Sequence, residues 1–490
     1  MDAALSIASS ALSAATTEIA VTAENVANAQ TTGYVDQQAQ LASQPGNSLG
    51  VGDGVAISSI AQMSDPLLAA NNLQAQGALS SLSAQQQVLT GIENIFPLGQ
   101  SSSNGTPTNT SIAGQLASFW AAWDGINQDP SGAAPRTQVI DAAQGLVSSL
   151  HGAAGQMSQL ANNTQAQVTT QIGEVNTLLR QAATLNQQIV AVKGGGGTPN
   201  QLLDQMNQIT NELASLAGAT VQMQQNGSAQ ISIGNIAMVQ NGTAWQLTSS
   251  PSSGTVSTPS GNVTATQLSL QATFPGGAAN PIALNVSSGS LAGLLTGYNQ
   301  SIPVATAELN QVATNLGTLV NNQLKAGYTY TPASAGPPAT AASTSPGTAL
   351  FSVPSGSGIV GGAAWGISMN FTNPNEIAAA STANPAAAAN DGSNAATIAE
   401  FANTTGYTTS PDTAYQQLIQ NIGSQTQTAN SQVASQTAVA QQAQQAFQAA
   451  TGVNTNTELT NLIQFQSSYQ ASAKLVSIVD STIQSLLQAV

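Results

Sequence analysis

The sequence predicts an α+β multidomain protein, with an elongated shaft of long helices, terminal coiled-coil helices from both chain ends, and an inserted mainly-β outer domain. Three observations carry that expectation. Apolar residues recur in sevens at both ends of the chain, the spacing of a helix that offers a seam to another helix. Helical periodicity runs through about residues 135 to 192, well beyond ordinary globular helix length. Between about 221 and 247 the pattern becomes an alternation punctuated by Asn226-Gly227 and Asn241-Gly242, which signals β-hairpins.

At the amino end the repeat is Leu5, Leu12, Ile19 and Val26, accompanied by Ala8, Ala15, Thr22 and Ala29. That second track is small and suits close approach of a neighbouring helix. At the carboxyl end Leu462, Tyr469, Val476, Ile483 and Val490 lie seven apart, with Phe465, Val479 and Leu486 beside them and Ser472 interrupting the second track. The remainder of each helix is Ser, Thr, Gln, Asn and Ala with few charges, so it can lie against protein on several sides without burying unpaired ions. The plainer alternative is a pair of terminal helices docked on a globular core.

A strand-like segment near Gly54 to Ile60 follows the turn-rich Gly50 to Gly54. Helical patterns come next at about 65 to 95, 111 to 128 and 135 to 192, the last with tracks Val168, Val175, Ala182, Ile189 and Leu178, Leu185, Val192. Gly194 to Gly197 stop that helix, and Thr198-Pro199-Asn200 opens another to about 217, giving an antiparallel hairpin. Strand-like sequence continues to about 287, a heptad helix covers about 290 to 326, and a Gln/Ala/Ser/Thr helix covers 412 to 451. The expected domains are 1–36 with 454–490 as the terminal coiled coil, 37–217 with 290–327 and 373–453 as the helical shaft, 218–289 as the β-rich outer domain, and 328–372 as a loop or small β insertion.

Composition excludes several functions. The 490 residues carry five Lys and Arg against 20 acids, a net charge of −15, and scattered cations cannot neutralise a row of phosphates or an anionic membrane surface. No cysteine is present, so disulfides and thiolate chemistry are absent. No uninterrupted apolar run approaches membrane length, and Met1 to Leu5 lack the basic flank of a cleaved signal peptide. His151 is the sole histidine; Ser148 and Ser149 beside it point elsewhere on a helix, so neither a triad nor a His-bearing metal cluster is expected. Gly50, Gly52 and Gly54 lack the third glycine of a dinucleotide fingerprint, and the tetraglycine lacks a phosphate-loop Lys. Asp124 and Asp129 near Trp120 and Trp123 could imitate a glycosidase pair, but the aromatics read as core anchors and Asp129-Pro130 as a helix end. No enzyme activity, metal or cofactor is expected. Scarcity of ionisable groups also suggests a polymer tolerant of acid.

The ordered string Asn25-Val26-Ala27-Asn28-Ala29-Gln30-Thr31-Thr32-Gly33-Tyr34 resembles the amino-terminal signature of flagellar rod, hook and hook-associated proteins. Three further blocks narrow the resemblance to hook-associated members: Asn200 to Gln205, Asn373 to Ala380, and Gly452-Val453-Asn454 followed by Asn461 to Lys474. The resemblance implies export through the flagellar type III apparatus without a cleaved signal peptide. It also implies assembly at the distal end of the hook, connecting hook to filament, outside the cell. Implied partners are copies of the chain itself in a ring or short helical zone, hook protein, a filament-side junction protein, and an export chaperone on the carboxyl-terminal helix, with no nucleic acid and no membrane insertion. Two departures stand out: Asp36 replaces the usual Arg after Gly-Tyr, and the acidic cluster after Gly452 is thinned to Glu458, which leaves a salt bridge at either place unsupported. Residues 328–365 are too few for the large outer β domain of longer members. The competing readings are a hook or distal rod protein, and a surface adhesin built on 221–287.

Overall fold

The computed structural model describes residues 2–31, 33–45, 52–96, 111–259, 261–275, 281–334, 340–356, 358, 360–402 and 410–488. Helix α1 (Asp2–Asn28) turns into the antiparallel hairpin β1 (Gln37–Ser43) and β2 (Val55–Gln62), which packs back on α1. Then come α2 (Pro66–Ile95), α3 (Ile112–Gln128), α4 (Ala133–Gly194) and α5 (Asn200–Ala217), the last lying along α4. Local chemistry sets these bounds: the Asp65 carboxylate accepts from the Leu67 and Leu68 N–H groups ahead of α2, and Ser111 caps α3 through Gly114 N–H. Gly218, at φ +63°, closes α5 in the left-handed conformation that glycine adopts without penalty.

Helix α4, with 62 residues, is the spine, about 93 Å long at 1.5 Å per residue. Val139, Leu146, Leu150, Met157, Val168, Val175, Leu179, Ala182 and Ile189 are all fully buried along it. Around them pack Phe119, Trp123 and Ile126 of α3 at one end and the β region at the other, so one apolar core runs through the shaft. Strands β3 (Thr220–Met223), β4 (Ala229–Ile233), β5 (Ile236–Gln240) and β6 (Thr243–Ala244) form an antiparallel meander, and β7 (Gln246–Thr258), β8 (Gly261–Thr273) and β9 (Ile282–Leu284) a second sheet. Next, α6 (Ser290–Thr296) continues through a π turn at Gly297–Ser301 into α7 (Ile302–Ala326). Short pieces follow: β10 (Tyr328–Thr331) paired with β11 (Ser343–Pro346), β12 (Phe351–Ser352), α8 (Ala363–Gly366), β13 (Ser368–Met369) paired with β12, α9 (Pro385–Ala388) and α10 (Ser393–Ala399). Helices α11 (Pro411–Thr451) and α12 (Thr455–Gln488) complete the described chain, α11 against α2 and α7, α12 against α1.

Amides fasten the β modules to this shaft. Asn186 of α4 is fully buried, donating to Ala229 O at 2.7 Å and accepting from Ala229 N–H at 2.7 Å. Asn176 holds Leu247 in the same two-point way, at 2.8 and 2.7 Å. Asn299, in the π turn, holds Leu268 at 2.9 and 2.7 Å, and Asn321 of α7 holds Phe351 at 2.7 and 2.9 Å. Each side chain replaces a neighbouring strand's peptide group for one residue, satisfying buried backbone with no ion. Arg136 of α4 is the buried cation, donating to Ile377 O and Pro130 O, and burial lowers its affinity for its proton.

Two sequence expectations are revised. The helix expected over 290–326 is interrupted by the π turn, a feature that heptad spacing does not report and that accompanies the seating of Asn299 on Leu268. Residues Ala4–Asn28 are long and apolar enough, at mean hydropathy 1.3, to pass a membrane-span test by length and composition, although Ser and Thr interrupt every apolar run. Alanine raises the average there without making a greasy surface.

Candidate assembly interface and its joint

Helices α1 and α12 lie antiparallel, the end of α1 meeting the start of α12 through Asn25 and Glu458. The side chains buried on α1 are Ala8, Ala14, Ala15, Val21, Thr22 and Asn25, and on α12 Glu458 and Ser472. Small residues therefore make the close approach within the chain. Of the amino-terminal heptad, Leu12 and Ile19 are half-buried while Leu5 and Val26 are exposed. On α12, Leu462, Phe465, Val476, Val479 and Ile483 are half-buried and Tyr469 is exposed. The side chain of Leu486, like Thr32 and Val490 entirely, lies outside the described residues. Residues between the heptad tracks are the most open, with Ile463 at 66% and Leu475 at 54% exposure, joined by Leu459 and Ile478.

The signature residues build the joint between this pair and the shaft. Asn25 is 1% exposed, and its Oδ1 accepts from the Tyr34 hydroxyl at 2.8 Å and Gln37 N–H at 3.1 Å. Its Nδ2 donates to Asp36 Oδ1 at 2.6 Å, Gln37 O at 2.9 Å and Glu458 Oε2 at 3.1 Å. Asn28 ends α1, donating to Glu24 O and accepting from the Thr31 hydroxyl. Gly33 turns the chain at φ +85°, against α5. Gly452 closes α11 through Gln448 O, half-buried Val453 follows, and Asn454 Oδ1 caps α12 at Asn456 N–H. Thr451 O takes Asp36 N–H at 2.9 Å, tying the two linkers together. From the shaft, Asn200 donates to Gln37 Oε1 and Ile60 O, and Gln62 donates to Asp204 at 2.8 Å.

Electrostatics at this joint are one-sided. Burial, with Glu458 alongside, pushes Asp36 up to about 6, and burial does the same to Asp204 against the pull of Gln62. The Tyr34 hydroxyl is raised by burial and then by Glu24, Asp204, Asp36 and Glu458. The meeting of Asp36 and Glu458, 422 positions apart in the sequence, was not visible from spacing; their shared departure from the resembled pattern was the one available signal.

Elsewhere the structure separates the residues that imitate chemistry. Ser148 and Ser149 hydroxyls donate to their own helix, and a His151 ring nitrogen meets Ile367 O at 2.7 Å. Trp120 donates to Asp412, not to Asp124 or Asp129. Among the described residues, no group of three or more His, Cys, Asp or Glu could hold a metal ion.

Three family models match this architecture in order: Flagella basal body rod protein over residues 5–34, Flagellar hook-associated protein FlgK helical domain over 102–338, and Flagellar basal body rod FlgEFG protein C-terminal over 443–489. The paired ends and the helical middle define the class that the chain resembles, that of flagellar rod, hook and hook-associated proteins. Within that class it is similar to flagellar hook-associated protein 1 of Escherichia coli (27% identical, 66% of this chain and 57% of the relative) and of Bacillus subtilis (26% identical, 46% and 44%). The chain spans little more than half the length of the Escherichia coli and Salmonella typhimurium relatives. The fold is shared with the flagellar hook junction protein FlgK of Burkholderia pseudomallei at TM-score 0.58 and 18% identity, covering 78% of this chain and all of that one.

Proposed function

We propose that the chain is a structural junction protein of the bacterial flagellum, assembling at the distal end of the hook and connecting hook to filament. One observation carries the reading: the paired chain ends bury small residues against each other and leave Leu5, Val26, Leu459, Ile463, Tyr469, Leu475 and Ile478 open. Repeated contacts between identical subunits along such stripes generate rings or short helical arrays. In this reading Leu5, Leu12, Ile19, Val26, Leu462, Phe465, Tyr469, Val476, Val479, Ile483 and Leu486 form the assembly seam. Its mates are further copies, hook protein below and the filament-side junction protein above. The same open residues would aggregate in the cytoplasm, so an export chaperone covers α12 before the chain leaves by the flagellar type III route. In this reading the terminal part, 1–36 with 454–490, meets the shaft at Asn25, Gly33, Tyr34 and Gly452 to Asn454.

The test is a strain expressing Ile463→Glu with Leu475→Glu. Cells should be non-motile, with hooks that lack filaments and subunit present in the medium. Wild-type filament attachment would refute the reading. Gold label distributed along whole hooks would favour a hook protein instead.

A further inference from the structure

The Asn25 amide has two hydrogens and three acceptors in reach: Asp36 Oδ1, Gln37 O and Glu458 Oε2, at 2.6, 2.9 and 3.1 Å. It cannot be turned over, because its oxygen takes the Tyr34 hydroxyl and Gln37 N–H. The joint is therefore one hydrogen short. Gln37 Nε2, though buried and unpartnered, is not that hydrogen, since it reaches no acceptor. Nor can a cation substitute. The groups facing the pair are Glu24 on α1, Tyr34 on the linker and Asp204 on α5, and the sole Lys or Arg in α1, β1, β2, α5, α11 and α12 is Lys474, about 24 Å along α12 from Glu458 at 1.5 Å per residue. Glu458 is 5% exposed, and its second oxygen takes only Asn461 at 3.2 Å.

We propose that this joint is a proton site: one proton on Asp36, which shares the Asn25 amide with Glu458, latches the start of α12 to the end of α1, and its loss loosens the terminal pair. In its acid form Asp36 no longer competes as an anion for the Asn25 amide and carries a hydrogen of its own, whereas two carboxylates around one amide repel each other. Asp36 is raised from 3.8 to about 6, so between those values the folded joint holds a proton that the open chain has released. The grip is complete below 3.8 and fades as pH rises through about 6. Asp204 moves in the same direction and faces the joint, but it is bound to Gln62 and the Val35 backbone and makes no hydrogen bond to Asn25, so it serves as the control. The inference concerns the lone chain and holds whatever it assembles into.

The experiment is hydrogen–deuterium exchange of segment 455–465 in the full chain from pH 4.5 to 8, each rate divided by the intrinsic rate at that pH. Wild type should lose about tenfold in protection between pH 5 and 7.5, less than the full shift implies because Asp36 is partly solvated. Asp36→Asn supplies a permanent hydrogen, and its protection at pH 7.5 should equal that of wild type at pH 5, with a flat profile. Glu458→Gln should do the same, and decides the matter should the first variant fail to fold. Asp204→Asn should keep the wild-type slope. A flat wild-type profile, a wild-type slope in both Asp36→Asn and Glu458→Gln, or a slope abolished by Asp204→Asn would overturn the proposal.

Discussion

Replacing Asn186 tests whether amides hold the β meander to the shaft. Its side chain contributes both hydrogen bonds that Ala229 N–H and C=O make to α4, and Asn186 and Ala229 are fully buried. Asn186→Leu keeps the volume and removes both partners, orphaning two backbone groups at about 1–3 kcal/mol each, a loss of roughly 4 kcal/mol for the pair. Asn186→Asp keeps the acceptor, but turns a carboxylate toward the Ala229 carbonyl and should cost at least as much at neutral pH. The meander is one part of a long chain, so the local readout is native-state hydrogen exchange across 229–240. Opening of that segment should become about a thousandfold more frequent, the equivalent of 4 kcal/mol at 1.4 kcal/mol per decade. The exposed Asn162 of the same helix, replaced by Ala, should change nothing beyond about 0.5 kcal/mol. If Asn186→Leu shifts exchange by less than threefold, or no more than Asn162→Ala, the amides do not fasten the sheet.

Three more outcomes follow from buried groups. Trp123 N–H is buried without a partner while Trp120 N–H donates to Asp412 at 2.8 Å; calorimetry should find Trp123→Phe within about 1 kcal/mol of wild type and Trp120→Phe about 1.5–3 kcal/mol worse, because the latter abandons a buried carboxylate. Burial raises Glu308 to about 7 although Asn421 donates to it at 2.6 Å. Its protonated form is favoured on folding, so stability is lost as pH rises from 4.5 through about 7, and Glu308→Gln should raise the melting temperature at pH 8 and leave it unchanged at pH 4.5. Gly289 sits at φ +82°, where an added Cβ would lie 2.5 Å from Gly218 N and 2.6 Å from Ala217 N; thermal unfolding of Gly289→Ala should show a loss above about 2 kcal/mol.

Long-period features were legible because they are properties of one helix. The track Val168, Val175, Ala182, Ile189 is fully buried, and the spine ends at the tetraglycine where glycine's backbone freedom ends helices. The β region was legible from its turns, yet the strand registers depend on pairing across sheets that no local pattern encodes. At the joint, Asn25 and Gly452 could be read as motif positions, but Asp36 beside Glu458 depends on the two chain ends meeting. The fastening asparagines went unread for a related reason: in so amide-rich a sequence, Asn176 and Asn186 on the buried face of α4 look no different from solvent-facing Asn162 and Asn163 until the strands are placed.

The division of labour between small and large residues on the terminal helices bears on how assembly can be specific with so little charge. If bulky residues of α1 and α12 paired within the chain, its ends would be self-sufficient and offer nothing to a neighbour. Instead the fully buried residues, Ala8, Ala15, Thr22 and Ser472 among them, are mostly small, while the bulky heptad residues are only half-buried or open. In the proposed assembly the pair gains further burial where Ile463, Leu475 and Ile478 find mates, which would couple order at the chain ends to assembly. Apart from Lys474, the polar groups between those residues are amides and hydroxyls, which hydrogen-bond in either water or an interface and impose little ion desolvation cost on docking. Selectivity then rests on shape and on the joint at Asn25, which fixes how the two stripes are presented together.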